Sequence, residues 1–175
     1  MYSLLVSHRF QDWDGGAFRF DKSRFLEYTS GPIKEQLRSL SIEAIECIQS
    51  WPCLLMNEGR ADELVRVARI SGLRGFDREI RLTLNLCPSQ APILNDHLWR
   101  IREELDIEQF EFSRYHWSVK ERDLLSVLLA AGHEFDASAI GRFEAKPLPA
   151  PTRASLLMAR DSISEWSHTE IDDLL

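Results

Sequence analysis

No stretch of this chain approaches the ~20 consecutive apolar residues needed to cross a bilayer. The apolar run near its start, in "MYSLLVSHRF", is short, and its basic residue follows rather than precedes it. A cleaved leader and a membrane anchor are therefore not expected. Cysteine is scarce. Cys47, Cys53 and Cys87 make an odd count without C-x-x-C spacing. That pattern points to neither a disulfide framework nor a zinc site, and suits small buried thiols in a reducing cytoplasm. Phosphate-cradling and nucleophile motifs are missing too: there is no Walker loop, G-x-G-x-x-G, G-x-S-x-G or H-E-x-x-H. No cofactor and no metal are expected. His8 with Asp12 and Asp14 lacks the remaining oxygen ligands of a calcium loop and reads as part of a turn. His97 and His133 belong to no ligand spacing.

Positive charge is in deficit. Twenty-one Lys and Arg stand against 28 Asp and Glu, for a net charge of -7. Duplex nucleic acid is bound largely through neutralised phosphates, so it is not the expected partner. Aromatic residues are plentiful, with five Trp and nine Phe. They argue for a packed core over most of the length.

The pattern of apolar residues predicts an α+β fold. Its centre is a small, bent antiparallel sheet or half-barrel packed with helices. Tyr2 to Phe10 reads as a strand and "DWDGG" as a turn. A second strand runs either through "AFRF" or from Arg24 to Tyr28. Two short helices follow, one opened by Pro32 and one capped by Ser41. "CLLMN", "ELVRVARI" and "REIRLTLNL" read as a meander. In the last of these, Ile80, Leu82, Leu84 and Leu86 alternate with Arg81, Thr83 and Asn85. "SGLRGFD" reads as the turn before it. Asn95 is expected to cap a helix reaching about Leu105, and "FEF" to form a short strand. The globular domain is assigned to residues 1–145. A proline-rich linker covers 146–152, and an acidic, amphipathic helical tail covers 153–175.

Two clusters stand out. The first lies in "SRYHWSVKERDLLSVLL". Ser118-x-x-Glu121 fits a capping box opening a helix that ends near Gly132. Lys120 and Asp123 are placed to pair on its first turns. Arg114, His116, Trp117, Lys120 and Asp123 are the candidates for a binding edge, because Arg, Tyr and Trp enrich interfaces. A catalytic alternative, a hydrolase or nuclease-like toxin, uses His116 as base with Asp123 or Glu121 as the orienting acid. The second cluster is the run of arginines from Arg60 to Arg81. It offers Arg66, Arg69 and Arg81 as anion-binding candidates, for a ligand, a nucleic-acid strand or the acidic tail. Its bland alternative is a charged, solvated sheet face.

The tail contributes Trp166, Ile171 and Leu174 as further interaction candidates, for a protein partner or for self-association. The expected function is a cytoplasmic, non-catalytic interaction or regulatory module.

The run R-x-H-W-x-V-K-x-x-D-L, carried here by Arg114, His116, Trp117, Val119, Lys120, Asp123 and Leu124, resembles a segment of uncharacterised bacterial domains. There it follows a short strand and opens a helix. The likeness extends over Arg24 to Leu129. It implies an accessory subunit beside a bacterial effector of the defence type, and it assigns no catalytic residues.

Overall fold

The computed structural model describes residues 1–8, 13, 16–59, 63–88, 91–135 and 146–148. The interaction candidates Trp166, Ile171 and Leu174, the turn residues Asp12 and Asp14, and most of the linker lie outside them. Among the described residues, seven strands form one mixed sheet: β1 (Tyr2–Ser7), β2 (Gly16–Asp21), β3 (Pro52–Asn57), β4 (Leu64–Gly75), β5 (Glu79–Cys87), β6 (Ile93–Leu94) and β7 (His116–Lys120). The order is β2-β5-β4-β3-β1-β7, with β6 paired to β4. The described helices are α1 (Gly31–Leu37), α2 (Ile42–Ser50), α3 (Asn95–Arg100) and α4 (Leu124–Ala130), so the fold is α+β. No helix among the described residues is long and apolar enough to cross a membrane.

The meander forms as its alternation dictates. Leu54 pairs with Val67, and Ile70 with Leu84, both antiparallel. β4 is longer than its composition suggests. A register shift between Ile70 and Gly72 carries the strand through "SGLRG", a bulge that adds twist and keeps the ladder going. The turn is therefore Phe76–Arg78, and Phe76 N donates to Glu79 O across it. The sheet is also not wholly antiparallel, because β1 runs parallel to β3, Leu4 opposite Leu54. That pairing needs a long crossover, and the segment holding β2, α1 and α2 supplies it.

β2 and β7 stand at the two ends of the six-strand path. Flat, they would lie about 24 Å apart at the usual strand spacing. Instead Phe20 of β2 meets Trp117 of β7 edge-on at 5.7 Å, and the Asp21 amide donates to the Tyr115 hydroxyl at 3.0 Å. The sheet curls until its ends touch. Its concave face holds Leu5, Phe20, Trp51, Ile80, Leu82 and Trp117, closed over by α1 and α2. The other face of β1, β3 and β4 packs Tyr2, Leu4, Val6, Met56 and Val65 against α3, α4 and Phe112.

Three local expectations are corrected. Asn95 does not cap α3. Its amide is buried and donates to the carbonyls of Asn57 (2.7 Å) and Gly59 (3.0 Å), and the helix stops at Arg100. "FEF" lies in a 3-10 helix, Gln109–Ser113, not a strand. Ser118 lies inside β7, so the Ser118–Glu121 capping box does not exist. α4 begins later, and Asp123 caps it by accepting from the Ser126 amide at 3.2 Å. The side-chain pattern of β7 explains the difference. Trp117 and Val119 point into the concave core, while His116, Ser118 and Lys120 share the opposite face, a period of two that a helix cannot satisfy.

The linker is held where it is described. Lys146 O accepts from Trp51 Nε1 at 3.0 Å, Lys146 N donates to Ser50 Oγ at 2.9 Å, and Lys146 Nζ pairs with Glu46. Pro147 O accepts from Cys47 Sγ, and Leu148 packs on the concave core. This segment lies along the C-terminal half of α2.

Candidate functional site

The polar face of β7 is built around an acid from another element. Glu111 stands in the 3-10 helix Gln109–Ser113, where its carboxylate reaches back to the Glu108 amide at 2.8 Å in a reciprocal cap. From there it turns inward and is completely buried. Lys120 Nζ donates to its Oε1 at 2.7 Å. His116 Nε2 lies 2.9 Å from Oε2, and Ser118 Oγ lies 3.5 Å from it. His116 Nδ1 lies 2.7 Å from the Arg114 carbonyl. β7 supplies His116, Ser118 and Lys120 at alternate positions, opposite Val6, Leu4 and Tyr2 of β1. The cluster is thus walled by the second apolar core.

The electrostatics follow from this closure. Burial pushes the Glu111 carboxyl up. The His116 hydrogen bond, the Lys120 ammonium and the Glu108 amide together outweigh it and hold the group below the usual carboxylate range. Tyr2, buried beside Glu111, has its hydroxyl pushed well above the ordinary value by burial first and then by the Glu111 and Asp106 charges. Its hydroxyl donates to Leu105 O at 2.8 Å.

These distances suit proton transfer, and the cluster is closed to solvent. His116 and Glu111 have no exposed surface, and Lys120 has almost none. Both ring nitrogens of His116 already face acceptors inside the fold. The acids expected beside His116 are elsewhere: Asp123 caps α4, and Glu121 accepts from Ser30 Oγ at 3.2 Å. The Lys120–Asp123 pair expected on a helix surface is replaced by Lys120–Glu111. A groove lined by Arg66, Val67, Leu86, Cys87, Pro88, Ala91 and Pro92 lies along β4 and β5, and the cluster does not line it.

Of the binding-edge candidates, Arg114 and Asp123 are exposed, whereas His116, Trp117 and Lys120 are interior. Nor is the outer edge of β7 open. Phe25 bridges to Trp117, and Thr29 Oγ1 accepts from the Val119 amide at 2.8 Å. The segment that covers this edge carries what the sequence reading missed. Leu26 and Tyr28 both hold left-handed backbone, at φ 63° and 56°, a conformation that costs an L-residue energy and recurs at functional sites. It presents the Tyr28 ring edge-on to His116 (4.9 Å) and to Phe110 (4.8 Å). Tyr28 and Phe110 remain 39% and 44% exposed. Two aromatic rings, far apart in sequence, form a surface pair above the buried cluster. The positive φ angles mark the Tyr28 side alone, and they are not legible in composition.

The anion-binding candidates do not form one site. Arg66 and Arg69 lie on opposite faces of β4. Arg69 Nε donates to Gln49 O at 3.2 Å, at the C-terminal end of α2, where a cation complements the helix dipole. Arg81 pairs with Glu79 at 2.6 Å and lies over the Phe76 ring. Among the described residues no three His, Cys, Asp or Glu side chains gather in a way that could hold a metal. His97 and His133 face each other at 5.5 Å as an isolated pair. Compared with known proteins, the chain matches no protein-family model, no curated protein and no solved structure.

Proposed function

We propose that this protein is a non-catalytic interaction module, an accessory subunit that binds a protein partner through the Tyr28–Phe110 surface. One observation carries the proposal. Two half-exposed aromatic rings are fixed by left-handed backbone at Tyr28 and by a buried, fully engaged Glu111–His116–Lys120 cluster beneath them. Rigid aromatic anchors lose little conformational freedom on binding, and interface energy concentrates in them. The groups that resemble a catalytic set are spent on holding this surface in place. Exposed Arg114, next to the 3-10 helix that bears Phe110, fits the same surface. The R-x-H-W-x-V-K-x-x-D-L run then reads as the scaffold of a docking surface, and the partner implied by its resemblance is a bacterial effector of the defence type.

The test is co-purification from the native host, followed by reconstitution with the purified partner. Tyr28→Ala combined with Phe110→Ala should weaken the measured Kd by about 30-fold or more, the scale of a lost hot-spot pair, with the protein still folded. An unchanged Kd would remove the surface from consideration.

A further inference from the structure

Three arginines stand side by side on the outer face of the sheet. Arg19 of β2 is directly opposite Arg81 of β5, and Arg81 is directly opposite Arg74 of β4. Side chains at paired positions stand on the same face, so the three arginines form one row across three strands, about 10 Å from the first backbone to the last. Like charges directly opposite one another destabilise a sheet. The compensation within reach is small. Glu79 serves two of the three, at 2.6 Å from Arg81 and 3.9 Å from Arg19, while Arg74 has no acidic partner among the described residues. Lys22 and Arg78 extend the positive surface at the same end of the sheet, against Asp21 and Asp77. Asp21 is occupied in capping the 3-10 turn at Ser23. The Arg81 guanidinium lies 4.5 Å above the exposed Phe76 ring.

We propose that this row is the docking site for the acidic C-terminal segment of the same chain, Asp161 to Asp173. Charge complementarity is the first ground. That segment carries Asp161, Glu165, Glu170, Asp172 and Asp173 and no Lys or Arg. The path of the chain is the second. Lys146 contacts Ser50 and Trp51, and Pro147 contacts Cys47, so the backbone runs antiparallel to α2, toward its N-terminus. Just before that N-terminus, Leu40 abuts Gly75, where a Cβ would come within 2.8 Å of the leucine side chain. Gly75 is the neighbour of Arg74 at the end of the row. From Cys47 to Leu40 is about 10 Å at the helical rise. The residues from 149 to 160 span up to about 40 Å when extended, enough to pass the β4–β5 turn and reach the outer face. The tether matters to the energetics. Exposed ion pairs are individually weak, but a covalently attached segment acts at an effective concentration in the millimolar range when its linker spans the sites. A free polyanion meets no such advantage, and it approaches a chain of net charge -7.

The experiment uses the full chain. One variant carries Arg19→Gln, Arg74→Gln and Arg81→Gln. A second leaves the sheet untouched and neutralises the segment with D161N, E165Q, E170Q, D172N and D173N. Chymotryptic cleavage at Trp166, inside the docked segment, is followed by intact mass. Both variants should be cut about fivefold faster than the parent, and the parent should match them in about 0.5 M salt, where exposed charges are screened. Equal cleavage of the parent and the segment-neutralised chain overturns the proposal. So does anisotropy showing that a labelled single-stranded oligothymidylate binds the parent as tightly as it binds the segment-neutralised chain, and loses that binding in the arginine variant. That result assigns the row to nucleic acid.

Discussion

The Lys120 ammonium donates to the Glu111 carboxylate at 2.7 Å, and neither side chain is more than 5% exposed. The two come from different elements, a strand and a 3-10 helix. Their pairing, with His116 on the second carboxylate oxygen, ties β7 to the segment before it.

Glu111→Ala should be strongly destabilising. It leaves Lys120 buried without its counter-charge and deprives the Glu108 amide of its acceptor. Breaking a buried pair from one side costs about 3–5 kcal/mol. Urea unfolding of the variant should show a loss of this size. A change under about 1 kcal/mol would mean that water or a rearranged lysine replaces the carboxylate.

The same group gives the stability a pH dependence of defined sign. The folded-state pKa of Glu111 is depressed, so ionisation favours the folded form. Its contribution is complete above the unfolded carboxylate value near ~4.3 and is lost as pH falls through the lower folded value. Glu111→Gln removes this term. The gap in urea midpoint between wild type and Glu111→Gln should therefore be widest near neutrality and shrink below about pH 4. A gap that widened on acidification would reverse the assignment.

Asp106 holds left-handed backbone at φ 60°, is exposed, and closes its turn through its own amide, donating to Glu103 O. Its side chain is not needed there, and glycine adopts the same backbone without strain. The relieved strain, on the order of 1 kcal/mol or more, is opposed by the greater freedom that glycine gives the unfolded chain, so Asp106→Gly should give a small net stabilisation of roughly 0.5 kcal/mol and raise Tm by about 1–2 °C. A fall in Tm on calorimetry would show that the carboxylate has a structural partner.

What could be read from the chain alone was whatever depends on neighbours in sequence. The alternation of Ile80, Leu82 and Leu84 fixed β5 and its buried face, and Ser41 marked the start of α2, where it accepts from the Ala44 amide. Local periodicity and capping are short-range physics, and they survive folding. β7 carried the same kind of signal, His116, Ser118 and Lys120 alternating with Trp117 and Val119, but the Ser118-x-x-Glu121 spacing competed with it. Only the tertiary structure decided between them. A strand with a histidine, a serine and a lysine on one face reads as solvated until Glu111 is brought onto that face. Likewise Arg19 joins Arg81 and Arg74 only through the register of β2 on β5, and Tyr28 meets Phe110 only because the sheet curls and its edge is covered. Charges and rings find partners by long-range packing, since desolvation is favourable only where a complementary group arrives with it.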